Sequence, residues 1–262
     1  MHMTTVNYYD IIAHNYDDLY NNNISLAENS IVQELILEQI PKNTELSVLD
    51  IGCGTGLVYE MLSTHTHIDY VWIDISEVMV SVAQNKHQTN PTVHFLQMDA
   101  NTLQHENFTH QSFDIVSSTF WSFSYINNPK EFLQKTVNLL KKDGIIFFMV
   151  YSQYSISNLR KATNGIESHS IQKNRPYEFR NSNCGIEKFP DSHFYTEDRL
   201  RALCGEIECS SIEIHGLNYF LDHIQDKHIY EYADCVDILK KEMLEMSHHK
   251  DLAHSLICII KK

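Results

Sequence analysis

The sequence of 262 residues predicts an α/β protein. The expected core is a doubly wound, seven-stranded, mostly parallel sheet with its last strand antiparallel, helices on both faces, and a cap from insertions. Three observations predict it. Apolar runs of strand length alternate with segments of helical spacing, a glycine triplet follows the first run, and acids stand at the ends of the first three runs.

Residues 30–40, S-I-V-Q-E-L-I-L-E-Q-I, place apolar side chains at helical period, and Pro41 closes the segment. L-S-V-L-D-I at 46–51 is compact, β-branched and suited to a strand buried on both faces. Helical spacing resumes at T-G-L-V-Y-E-M-L-S, and I-D-Y-V-W-I-D-I at 68–75 is the second strand. Ser76 is placed to cap a helix that begins near Glu77.

The rhythm continues with strands at 92–98 and 113–119, a helix across 129–142, and a strand at 145–151, with Lys142-Asp143-Gly144 as the stop between the last two. A short helix opens at 196–198, strands are expected at 208–214 and 255–261, and a helix near 230–246. Residues 152–195 carry little periodicity and are too long for a simple connection. The chain is expected to be one domain, residues 1–262, with 1–29, 152–195 and 215–250 as cap or lid segments.

Hydrophobic residues make up 43% and charged residues 21%, ordinary for a globular protein. A formal charge of −14, with no Lys/Arg-rich block, argues against nucleic acid and anionic membranes as partners. A small-molecule substrate is expected, with the chain a monomer or homodimer. Six cysteines lack zinc-type spacing, and 16 histidines form no H-x-x-x-H or H-E-x-x-H, so no metal site is expected. The N-terminus has no basic or apolar leader pattern, and a cytoplasmic location is expected.

The glycines carry the chemistry. V-L-D-I-G-C-G-T-G at 48–56 follows a strand and opens a helix, where bare backbone permits positive φ and close approach of a ligand. Diphosphate-binding dinucleotide turns read G-x-G-x-x-G, but position 57 here is Leu57, which disfavours NAD or FAD.

V-L-D-I-G-C-G-T-G resembles motif I of the class I S-adenosylmethionine-dependent methyltransferases, and the likeness extends over residues 30–151. The resemblance implies S-adenosylmethionine as cofactor, with Asp50, Gly52 and Gly54 along its methionine part and Gly56 also among the cofactor-binding residues. It implies that Asp74 accepts both ribose hydroxyls, that Ile75 lies on the adenine, and that Asp99 and Ala100 meet the exocyclic amine and the ring. Main chain at Ser118 would meet the cofactor's amino group.

S-S-T-F-W-S-F-S-Y after the fourth strand lacks the N-P-P-[YF] of amide-nitrogen and adenine-N6 methylating relatives, and suggests a partly apolar wall instead. Y-Y-D-I-I-A-H-N-Y-D-D-L-Y at 8–20 resembles the N-terminal lid of small-molecule members. Tyr8, His14, Tyr16 and Tyr20 recur there at roughly helical intervals, tyrosine faces can hold a sulfonium or amine, and Tyr20 is expected among the cofactor-binding residues.

His14, Tyr16 and His193 are the candidate catalytic groups, with Tyr195, Arg175 and Arg180 as candidates for a substrate carboxylate. The expected activity is methyl transfer to an oxygen or nitrogen of a small molecule by in-line displacement. A non-methylating reaction that uses the same cofactor, or a protein substrate, remains open.

Overall fold

The computed structural model describes residues 5–41, 45–63, 68–87, 91–108, 112–163, 192–221, 224 and 229–262. Three helices come first: α1 (Thr5–Ile12), α2 (Tyr16–Leu19) and α3 (Asn23–Glu38). Then β1 (Leu46–Ile51), α4 (Leu57–Leu62), β2 (Ile68–Asp74), α5 (Glu77–His87), β3 (Val93–Gln97) and β4 (Phe113–Ser118) follow in the expected alternation. The second half contains α6 (Pro129–Leu139), β5 (Leu140–Ser152), α7 (Ile156–Thr163), β6 (Phe194–Tyr195), α8 (Glu197–Cys204), β7 (Ser211–Leu217), α9 (Tyr232–Glu245) and β8 (Ser255–Lys261).

The sheet order is β3-β2-β1-β4-β5-β8-β7, and β6 pairs in parallel with the end of β5. Only β8 runs against its neighbours, β5 and β7. The two-residue β6 makes eight strands where the sequence shows seven; a run that short has no periodicity to read.

Why the strands read as unbroken apolar runs follows from their packing. Val48, Tyr70, Trp72, Ile115 and Phe147 enter the core on one face, while Leu49, Val71, Ile73, Val116 and Phe148 enter the core on the other. Successive side chains point to opposite faces, so a strand covered on both sides needs an apolar residue at nearly every position.

Local chemistry sets several boundaries. Asn22 caps α3 by accepting from the Ser25 amide, and α3 therefore begins well before residue 30. Ser76 accepts from the Met79 amide, as an N-cap does. Asn128 caps α6, which has Pro129 in its first turn and ends at Leu139, not 142.

The chain from Leu140 is already strand, with Asp143 at φ 63 and a register shift against β4 between Phe113 and Ile115. The irregularity hides the continuity of β5 in the sequence. β7 lies three residues later than expected because its register is fixed by β8, Ser211 opposite Lys261 through Leu217 opposite Ser255.

Segment 215–250 is in part body: α9 packs on α3, and its Cys235 and Leu239 lie in the same core as Trp72. Of segment 152–195, residues 164–191 lie outside the described residues.

Candidate active site

A cavity of about 350 Å3 opens at the carboxyl ends of the first four strands. Residues 52–55 after β1, 74–75 after β2, 98–101 after β3 and 119–122 after β4 form one side, and the N-terminal helices close over the other. Ligands of doubly wound sheets bind in this crevice, where consecutive strand-to-helix turns diverge.

All three loop glycines have positive φ, but each is required for a different reason. A Cβ on Gly56 would sit 2.3 Å from the Trp72 ring, and one on Gly52 would sit 2.5 Å from the Ser122 Cβ. Gly56 is a packing position and is not on the cavity lining. A Cβ on Gly54 would meet nothing closer than Cε1 of Tyr16 at 4.0 Å, an ordinary van der Waals contact. Gly54 and Tyr16 line the cavity side by side.

Asp74 sits at the end of β2 with little exposure. Its Oδ2 accepts from the Gly54 amide at 2.9 Å and its Oδ1 from the Ser76 amide at 2.9 Å. Burial raises its pKa, and the two amides pull against that shift. The acid therefore ties the β1 and β2 turns together while facing the cavity. Asp99 also lines the cavity and is fixed by accepting from the amide and the side chain of Asn101. Ile75 and Ala100 line it beside them.

Asp50 departs from expectation. It is 1% exposed, beneath the glycine turn, and off the cavity lining. Its strand parity points it at Ser117, whose hydroxyl donates to Oδ1 at 2.7 Å, and at the buried Tyr70. Burial pushes its carboxyl pKa up to about 7.

Ser118 is likewise buried, its hydroxyl 2.8 Å from that of Ser122, and the cavity wall begins one residue later at Thr119. The next two residues, Phe120 and Trp121, are at φ 47 and 69, a conformation non-glycine residues rarely hold. Trp121 is anchored by stacking on Tyr151 at 5.1 Å and by donating from Nε1 to the Ser255 hydroxyl at 2.8 Å.

The N-terminal helices are fastened to the same turns that the cavity uses. Thr55 donates its hydroxyl proton to Asp17 at 2.5 Å, and Ser76 donates to Asp10 at 2.5 Å. Lys86 bridges Asp17 at 2.9 Å and Glu60 at 2.8 Å.

Tyr16 and Tyr20 line the cavity, with ring centroids 5.1 Å apart. Tyr9 lines it too, edge to face with Tyr125 at 6.1 Å. Burial drives the Tyr9, Tyr16 and Tyr125 phenols well above their ordinary range, and Tyr20 is pushed up to about 12 by burial and by nearby Glu28. They are neutral surfaces at physiological pH, not proton acceptors. Tyr8, expected to face the site, is buried in the contact with Met79 instead.

His14 is exposed and away from the cavity, because the 3-10 turn at Ala13–Asn15 buries Ala13 and turns the next residue outward. His193 is also off the lining. Its amide donates to the Ser124 carbonyl at 2.7 Å, and burial together with Arg199 lowers its pKa. Tyr195 is buried in the core under Arg199. Arg175 and Arg180 lie outside the described residues.

Sequence reading missed Tyr9, Asp17 and Glu28. A heptad-like spacing, Tyr9 to Tyr16 and then four residues to Tyr20, was the available signal for the first. No metal-holding group of three His, Cys, Asp or Glu occurs among the described residues, and no helix there is long and apolar enough to cross a membrane.

With this geometry in view, the chain can be set beside known proteins. Residues 48–144 match the methyltransferase domain family. A malonyl-[acyl-carrier protein] O-methyltransferase of Bacillus anthracis is 26% identical over 209 residues, 79% of this chain and 69% of that protein. An uncharacterized protein of Methanocaldococcus jannaschii is 37% identical over 150 residues, 57% of this chain, and the match spans about half of that relative's length, 52%. Among solved structures, a DhpI–SAM–HEP complex superposes with a TM-score of 0.60 at 15% identity, over 97% of this chain and 94% of that one, which is a likeness of fold.

Proposed function

We propose, from the premise that the chain is an S-adenosylmethionine-dependent methyltransferase of class I fold, that it methylates a nitrogen or oxygen of a small molecule enclosed in the capped cavity. S-Adenosylmethionine supplies a methyl group made electrophilic by its sulfonium. The protein's own task is then alignment and exclusion of water.

The residues fit that donor. A carboxylate offers about four lone-pair directions; Asp74 engages the Gly54 and Ser76 amides, with the Ile75 amide beside them, and its cavity-facing remainder is free to accept from a ribose hydroxyl. Bare main chain at Gly54 lines the cavity next to Tyr16 and lets the donor approach the backbone with no Cβ in the way. In this reading Ile75, Asp99 and Ala100 bracket the base. Gly52 and Thr119 border the amino-acid end, and the segment before α3 is the cap that keeps water out.

Asp50 and Gly56 support the turn from below, and Ser118 supports the wall from behind. The whole described chain acts as one domain. The acceptor end is walled by Tyr9, Tyr20, Phe120 and Trp121.

The observation that carries the reading is the Asp74 carboxylate held by the amide of the glycine it faces. Calorimetry with S-adenosylhomocysteine tests it. The protein should bind at micromolar strength, and Asp74→Ala should lose at least tenfold, about 1.4 kcal/mol. No binding to the wild-type protein would remove the proposal. The carrier-linked acid in the names of relatives is a rival acceptor, and it belongs in the methyl-transfer panel beside amines and phenols.

A further inference from the structure

Charge and aromatic surface in the cavity are distributed in one sense. Six carboxylates line it: Asp17, Asp18, Glu28, Glu60, Asp74 and Asp99. Among the described residues that line it, none is Lys, Arg or His. Six rings, Tyr9, Tyr16, Tyr20, Phe120, Trp121 and Tyr125, supply π-faces that attract cations. A concave site of one sign concentrates ligands of the other.

The acids are not equivalent. Asp17 and Glu60 are committed to Lys86, and Asp74 and Asp99 hold the turns assigned above to the donor. Asp18 is exposed. Glu28, half-buried on α3, lines the cavity close to Tyr20, whose phenol its charge helps to raise. Its Oε1 accepts from the Asn218 side chain at 2.8 Å, which fixes the carboxylate's direction. Asn218 in turn accepts through its carbonyl from the His254 amide, and the His254 ring meets Trp121 edge to face at 5.3 Å. Glu28 and Trp121 are thus set by one connected framework.

Resting on the methyltransferase reading, we propose that the acceptor is a cationic amine whose ammonium group is held by Glu28 among the faces of Tyr20 and Trp121. An acceptor that is itself a carboxylate would find no Lys, Arg or His to pair with among the described lining residues, and would face the Glu28 charge instead. For transfer, the ammonium gives one proton to the Glu28 carboxylate. The freed nitrogen lone pair forms the N–CH3 bond as the S–CH3 bond breaks, and that electron pair stays on sulfur. The products are the N-methylated ammonium and the neutral thioether, and Glu28 passes its proton to water.

Two binding probes test the charge preference without relying on turnover. Protein loaded with S-adenosylhomocysteine is titrated calorimetrically with benzyltrimethylammonium and with benzoate. The cation should bind at least tenfold more tightly than the anion, and Glu28→Gln, nearly isosteric, should weaken the cation at least fivefold. The variant's affinity for S-adenosylhomocysteine reports that it is folded. Equal or tighter binding of benzoate, no binding of the cation, or an unchanged cation affinity in Glu28→Gln would each overturn the assignment. Failure of the wild-type protein to bind S-adenosylhomocysteine would instead count against the methyltransferase reading itself.

Discussion

The two ends of the cavity are built by different means. At the end assigned above to the donor, Gly54, Asp74 and Ser76 are joined through main-chain amides at the mouths of adjacent parallel strands. At the end assigned above to the acceptor, Tyr9, Tyr20, Glu28 and Trp121 come from separate N-terminal elements and a turn and share only the cavity lining. The difference teaches that the first end is a property of the sheet, whereas the second is a property of what happens to be packed on it. A sheet edge tolerates little change; side chains on helices can be exchanged without disturbing the strands, which is how one fold serves many acceptors.

Within the donor end the same contrast separates floor from foundation, and Gly56→Ala should break it hardest. A methyl group driven into Trp72 at a left-handed position should cost about 3 kcal/mol of stability, measured by urea unfolding. Gly54→Ala meets only the Tyr16 ring, at an ordinary contact distance, and should cost about 1 kcal/mol, yet lower S-adenosylhomocysteine affinity at least tenfold. If Gly56→Ala proved as mild as Gly54→Ala, the distinction between packing and contact glycines would fail.

Asp50 should give the next effect, and its sign is set by burial. The folded pKa of about 7 lies above the unfolded carboxylate value, so the folded state holds the proton more tightly. The stability this contributes is complete below about pH 4 and is lost as pH rises through 7. Relative to Asp50→Asn, the wild-type protein should lose on the order of 2 kcal/mol between pH 5 and pH 8 in denaturant titrations. A pH-independent gap between the two proteins would mean that Asp50 is not buried as described.

The smallest effect belongs to the cap. Asp17 is about half exposed and partnered by Thr55 and Lys86, so Asp17→Asn should change global stability by less than about 1 kcal/mol. Because Thr55 lies on the donor turn, the KM for S-adenosylmethionine should still rise severalfold in steady-state assays. An unchanged KM would show that the cap is fastened elsewhere.

These contrasts also mark what the sequence could disclose. Doubly covered strands leave continuous apolar runs, and the acids that end β1 and β2 stand out against them, so the sheet and the place of Asp74 were legible. The roles of Asp50 and Gly56 were not, because both depend on what lies beneath them in space: Ser117 and Tyr70 for the first, Trp72 for the second. His14 was suggested by its spacing among the tyrosines and His193 by its place before α8, but the 3-10 turn at Ala13–Asn15 exposes the first, and the second is off the cavity lining with its amide bonded to the Ser124 carbonyl. Glu28 carried no local signal, since its orientation comes from a residue in the last third of the chain.

That last contact has a further consequence. The Glu28–Asn218 bond spans 190 residues, and Asn218 follows β7, which is held by the final strand. Bringing such distant partners together is slow and entropically costly, so the acceptor wall is completed only when nearly the whole chain has been threaded into place. A polypeptide halted after β5 would already possess every turn assigned above to the donor but would lack Asn218 to orient Glu28, so on the proposed assignment the order of synthesis separates holding the methyl source from choosing where the methyl goes.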